Sequence, residues 1–423
     1  MPSCARLATL AVAALWSATA YAQDITSSIP AQPRASHPLM TPEALAEAEA
    51  NFSNCLAGLW PAAQRRGINR QTFEAVVRAT TPDMSLFKLM DGQPEFERPI
   101  WWYVDSLVTE TRIRKGREML AQYKPVFDAI ERQWGVDRHL LTAIWGIESN
   151  FGTRDGMGGR DVVRSTASLA CIGRRQAYFQ DEFLAAVLIL QRGDVPPDHM
   201  RGSWAGAFGM TQFMPTGYVR YAVDFDGDGH ANLVDSVPDA LASTANRFRA
   251  EKWMTGQTWG YEVVLPPGFD YLLADRNRRL SLGEWSRLGA QRANGLPFPR
   301  SGDQAFLLIP AGSRGPAFLM LENFRVIMRY NPAEAYALAI GHLADRMRGG
   351  GPFVQAWPRD AQLLSRNERF ELQMLLLGYG FDIGQPDGKI GGKTRTALRQ
   401  VQAQLGLVPD GFATTEVLSH LKR

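Results

Sequence analysis

In the stretch DRHLLTAIWGIESNFG, Leu141, Ile144, Glu148 and Phe151 recur at three- and four-residue spacings, which places them on one face of a helix. A carboxylate in an otherwise apolar stripe is poorly solvated, so its pKa rises and part of it keeps its proton at neutral pH. A carboxyl of that kind is a general acid, able to hand a proton to a leaving oxygen. The competing reading is a Glu at the stripe's edge, paired with an Arg and serving structure only.

A second constellation lies downstream, in GSWAGAFGMTQFMPTGYVRYAV, which gathers Ser203, Gly206, Gly209, Gln212 and several aromatics into a short stretch. Glycines allow close backbone approach, aromatic faces suit sugar rings, and Gln and Ser offer hydrogen bonds to hydroxyl and acetamido groups. A tight helix-helix contact would call for the same small residues. Just beyond it, DFDGDGHANLVD sets Asp224, Asp226 and Asp228 at alternating positions, with Gly229 at the turn and Asp235 twelve residues into the loop. This is EF-hand spacing, with His230 supplying a backbone carbonyl, and it predicts a structural calcium ion; the alternative is a metal-free Asp/Gly turn. Asp235 is shorter than the Glu that usually closes such a loop.

These residues need helices to hold them. From Thr41, an N-cap before Pro42, helical patterning continues through RIRKGREMLAQYKPVFDAIERQWG, QDEFLAAVLILQRGD and VPDALASTANRFRAEKW. Strand-like runs are few: TWGYEVVLP, AFLLIP and AFLMLE, which predict a small subdomain. MRGGGPFVQAWPRD breaks the pattern and reads as a linker over 348–360. The tail, 361–423, repeats itself approximately, since DGKIGGKTRTAL is echoed by DGFATTEVL, each an Asp-Gly turn, a capping Thr and a helix.

The chain has 423 residues, 45% hydrophobic and 21% charged, with a formal net charge of +3. That composition excludes a largely disordered protein, and the dispersed basic residues give no footprint for nucleic acid. Arg6, the apolar run LATLAVAALW and the AYA tripeptide predict a secretory signal over 1–22, cut after Ala22, followed by a flexible leader over 23–40. Cys4 precedes the apolar run, so no lipid anchor is expected, and no later segment is apolar for about 18 residues. Cys55 and Cys171 would then enter an oxidising compartment, the periplasm, where a disulfide is the expected state and two buried thiols the alternative.

Taken together, ESNFG, GSWAGAFGMTQFMP, DFDGDGH and RYNPAEAY resemble the membrane-bound lytic transglycosylase B family, over roughly Asn51 to Met347. The resemblance implies a mainly α protein with a lysozyme-like (α+β) catalytic domain over 41–347, plus a small three-helix tail similar to a peptidoglycan-binding domain. It assigns the catalytic acid/base to Glu148 and sugar contacts to Ser203, Gln212, Tyr330, Asn331 and Tyr336. At Arg247 some relatives carry an aromatic residue. A longer metal loop in that family makes Asp239 a rival to Asp235. The implied chemistry is non-hydrolytic cleavage between N-acetylmuramic acid and N-acetylglucosamine to a 1,6-anhydro end, with no second carboxylate; Asp155 and Asp161 are expected at the surface. Peptidoglycan strands are the expected partner, with other cell-wall enzymes possible beside it. A hydrolytic muramidase on the same fold and a non-catalytic wall-binding scaffold are the rival readings.

Overall fold

The computed structural model describes residues 38–89 and 98–422. The expected signal peptide, Cys4 and nearly all of the leader lie outside them. The helical body starts where the capping signal placed it: the Thr41 hydroxyl accepts from the Ala44 amide at 3.2 Å, and Pro42 opens the helix Pro42–Ala50. Short helices up to Leu89 lead into α1 (Ile100–Leu107), α2 (Glu110–Gln122), α3 (Lys124–Trp134) and α4 (Arg138–Ser149). These are followed by α5 (Val162–Cys171), α6 (Gln176–Arg192), α7 (Val237–Ala250), α8 (Glu322–Tyr330) and α9 (Glu334–Arg348).

Helix α4 is the centre of this body. Asp137 caps it through the amides of His139 and Leu140, and every residue from Leu140 to Ser149 is buried, mainly against α9 and α2. A helix apolar nearly all round belongs inside a core, which is why its single carboxylate is costly there. The helix stops at Asn150 and Phe151, both at positive φ, and the Phe151 ring folds back edge-on to Trp145 at 5.7 Å. Cys55, on the helix Phe52–Gly58, and Cys171, at the end of α5, form a disulfide with Cα atoms 5.9 Å apart.

The three strand-like runs become β3 (Gly260–Val264), β6 (Gln304–Leu308) and β7 (Ala317–Met320). With β4 (Leu280–Ser281) and β5 (Gln291–Arg292) they make an antiparallel sheet in the order β4-β6-β7-β3-β5. It carries its own core, built around Trp285, Leu282, Leu307 and Leu319. Two-residue strands leave no periodic trace, so β4, β5 and the small pair β1 (Arg160–Asp161) and β2 (Arg201–Gly202) were not expected from the sequence.

The segment after α9 lies on the body. The Phe353 ring stacks on His342 at 3.8 Å, and the amides of Val354 and Gln355 both donate to the Glu262 carboxylate at 2.8 Å. The tail then forms α10 (Arg366–Gly378), α11 (Gly392–Gln404) and α12 (Thr415–Leu421) around Leu372, Leu376, Leu398 and Val401. Its internal repeat has a physical basis that the motif alone did not contain. Gln373 accepts from the amides of Asp387 and Gly388, and Gln402 accepts from that of Gly411, while each amide nitrogen donates to the Asp of its own Asp-Gly turn. In both halves a buried Gln holds the turn.

Candidate active site

Glu148 sits in the last turn of α4 with only 5% of its surface exposed. Burial pushes its carboxyl up to about 8, while a hydrogen bond from Tyr336 and the positive charge of Arg247 pull in the opposite direction. The bond is direct, with the Tyr336 hydroxyl donating to Oε1 at 2.6 Å from the first turn of α9. Burial and the neighbouring carboxylate also hold the Tyr336 phenol well above its ordinary value, so it stays a donor. Among the described residues, the groups that shift the Glu148 carboxyl besides burial are Tyr336 and Arg247. Asp161 caps α5 through the Arg164 amide, and Asp155 is exposed.

The glycine-rich segment is locked to the end of α4. Ser149 Oγ donates to the Met210 carbonyl at 2.5 Å and accepts from the Gly152 amide at 2.9 Å. Phe208 and Phe213 exchange backbone hydrogen bonds at 3.0 Å around a tight turn that carries Gln212 at φ +52°. The Gln212 side chain donates to the carbonyls of Gly209 (2.8 Å) and Met157 (3.2 Å), and its Oε1 has no donor among the described residues. Ser203 Oγ accepts from the Ala207 amide at 3.0 Å, bracing the same loop. The sequence left two uses open for the glycines, and the structure gives them to packing. At Gly206 and Gly209, both at positive φ, a Cβ would lie 2.4 Å from Thr166 Cγ2 and 2.7 Å from the Leu233 carbonyl oxygen.

Tyr330 and Asn331, expected to line the groove, are 3% and 1% exposed. Phe248 stacks on the Tyr330 ring at 5.7 Å, Arg247 lies over it at 4.1 Å, and its hydroxyl donates to the Thr211 carbonyl. Asn331 Oδ1 accepts from the Ala333 amide at 3.1 Å, which tightens the corner between α8 and α9. Both are as buried as Ser203, Gln212 and Tyr336, and their polar groups are engaged with the protein. Arg247 is the residue that sequence reasoning undervalued. It pairs with Glu251 at 3.1 Å and donates to the Arg329 carbonyl, which leaves a fixed cation near Glu148. An Arg at a position expected to be aromatic was the one signal for it.

In the acidic loop, Asp224, Asp226 and Asp239 bring carboxylate oxygens within 4.8 Å of one another. Calcium-oxygen distances of about 2.3–2.6 Å fit a cation between oxygens so spaced, and an all-oxygen donor set suits a hard ion. Asp235 is turned away, its carboxylate 2.9 Å from His199 Nδ1, and the Asp228 carboxylate accepts from the His230 amide at 2.8 Å. The structure thus brings together the first two loop acids and the later rival, and leaves Asp228 and Asp235 out of the cluster. Asp239 also accepts from the amides of Phe225 and Asn232, both at 2.8 Å.

A buried carboxyl with a raised pKa and a hydroxyl partner, in a helical body followed by a separate three-helix tail, points to acid/base chemistry. Residues 51–345 match the transglycosylase SLT domain, and residues 365–421 match a putative peptidoglycan binding domain. The chain belongs to this family of lytic transglycosylases, lyases that act on peptidoglycan. It is similar to membrane-bound lytic murein transglycosylase B of Escherichia coli strain K12, at 30% identity over 297 residues, covering 66% of this chain and 78% of that protein. Crystallised SltB3 from Pseudomonas aeruginosa, in complex with NAG-anhNAM-pentapeptide, is 47% identical with a TM-score of 0.83, over 88% of this chain and 99% of that one. Slt35 of Escherichia coli, in complex with calcium, is 27% identical with a TM-score of 0.59, over 70% and 92%. Among the described residues no helix is long and apolar enough to cross a membrane.

Proposed function

We propose that Glu148 is the single acid/base of a lytic cleavage between N-acetylmuramic acid and N-acetylglucosamine. Its proton goes to the glycosidic oxygen as the C1–O bond breaks. The resulting carboxylate, supported by the Tyr336 hydroxyl and the charge of Arg247, takes the proton of the muramic acid 6-hydroxyl. O6 then bonds to C1, and the product is a 1,6-anhydro end with no water consumed. A hydrolase normally needs a second carboxylate to activate water or attack C1. What carries the reading is a carboxyl raised to about 8 on which, among the described residues, no other acid acts. Ser203 and Gln212 are the sugar contacts, the free Gln212 Oε1 being an acceptor for a substrate N–H or hydroxyl.

The accompanying features fit one setting. A signal peptide cut after Ala22, a disulfide between Cys55 and Cys171 and a tail over 361–423 that binds the wall describe an exported, periplasmic enzyme. A calcium ion held by Asp224, Asp226 and Asp239 fixes the loop after the glycine-rich segment and takes no part in the chemistry.

The test is mass spectrometry of products from purified sacculi. The expected products are anhydro-muropeptides, lighter by one water than hydrolytic ones; reducing, hydrated ends alone would establish the muramidase instead. Glu148→Gln should cut the rate by at least about a hundredfold while wall binding persists. Undiminished lysis in that variant would remove Glu148 from the mechanism.

A further inference from the structure

Helix α9 begins without a side-chain cap: Ala333 occupies the N-cap position and offers none. An uncapped first turn tends to fray, yet this one carries Tyr336, whose hydroxyl must stay 2.6 Å from Glu148 Oε1. Core packing buries Tyr336 and Ala337 against the body, and the polar restraint on this turn is Glu334, the first residue of the helix. Arg276, from the sheet subdomain, binds one carboxylate oxygen at 2.6 Å through Nη2 and at 2.8 Å through Nε. Arg395, from α11 of the tail, binds the other at 2.6 Å.

Glu334 is only 12% exposed, and the two guanidinium groups hold its carboxyl down to about 2, so the clamp stays ionised at any pH where the enzyme would work. Arg399 adds a more distant positive charge. A second contact sets the tail in place. The Asp410 carboxylate accepts from the Ser313 amide at 2.9 Å and from its hydroxyl at 3.0 Å. The approach is close enough that a Cβ at Gly312, which has φ +70°, would lie 2.6 Å from Asp410 Oδ2.

We propose that Glu334 is a positioning residue: gripped by Arg276 and by Arg395 of the tail, it fixes the first turn of α9 and so keeps the Tyr336 hydroxyl on Glu148. The tail then belongs to the catalytic apparatus as well as to wall attachment. This rests on Glu148 being the acid/base. Around Glu148 itself the groups that set its charge are Tyr336, Tyr330 and Arg247, with Tyr103 beyond Tyr336, and none of them belongs to the tail.

The test uses the full chain and soluble, uncrosslinked glycan oligomers bearing stem peptides, which separates turnover from sacculus binding. Arg395→Ala should lower kcat several-fold with little change in KM and shift the alkaline limb of kcat/KM upward by about half a unit, because a loosened Tyr336 no longer favours the Glu148 anion. Arg395→Lys should restore most of both. In a Tyr336→Phe background, Arg395→Ala should have no further effect, since the two act through one bond. Weakened sacculus binding with kcat and the limb unchanged would overturn the proposal, and so would additive effects in the double variant. Glu148→Gln run alongside reports separately on the acid/base assignment.

Discussion

Tyr336 donates to Glu148 and thereby favours the carboxylate over the carboxyl, opposing the burial that favours the carboxyl. The balance sets a sign that can be measured. If Glu148 is the acid, as proposed, its protonated form must reach the leaving oxygen, so activity should be present below the pKa and fall as pH rises through about 8. Tyr336→Phe removes a hydrogen bond that holds the Glu148 pKa down, and the alkaline limb of kcat/KM should move up by roughly half to one unit. In the proposed second step the same bond would support the anion, so kcat at neutral pH should fall about tenfold. A limb that moves down would mean that Tyr336 acts otherwise. The apolar stripe marked Glu148 as a candidate, and the glycine-rich motif with the family resemblance singled it out. The resemblance named Tyr336 as a groove residue but not its bond to Glu148, and Arg247 was noted only as a departure, because they reach it from elements 188 and 99 positions away and no local pattern encodes a contact of that range.

Elements were readable in proportion to their length. Thr41, the long helices and the three apolar strands leave caps and periodicities, whereas β1, β2, β4 and β5 have two residues each and are defined by their neighbours. The acidic loop shows the same limit. Counting positions from Asp224 leads to Asp235, but helix α7 presents Asp239 to the loop and leaves Asp235 to His199. Melting temperature measured with chelator and with millimolar calcium should therefore differ in the unaltered protein, by about 2–3 kcal/mol of stability at a hundredfold excess over Kd. Asp239→Ala should abolish that difference, whatever it does to the baseline, and Asp235→Ala should keep it. Equal calcium responses in the two variants would count against the cluster.

At the scale of the whole molecule, three cores are joined by specific polar contacts: Glu262 to the segment after α9, Ser313 to Asp410, and Glu334 to Arg276 and Arg395. The glycines and prolines after Met347 marked a boundary, but no local pattern signalled that this boundary would be stitched down. The disulfide acts at this scale too, across 116 residues. Cys55→Ser should lower stability by roughly 2–5 kcal/mol, read from denaturant midpoints with and without reductant; a variant insensitive at both would show the bridge to be dispensable. The covalent ring closed by Cys55 and Cys171 contains Glu148 and all of α4. Any single backbone cut by a protease between those cysteines therefore leaves both pieces tethered, and the break is visible on a gel only after reduction. An enzyme working among proteases can be nicked there and still keep its acid attached to the chain that carries Tyr336.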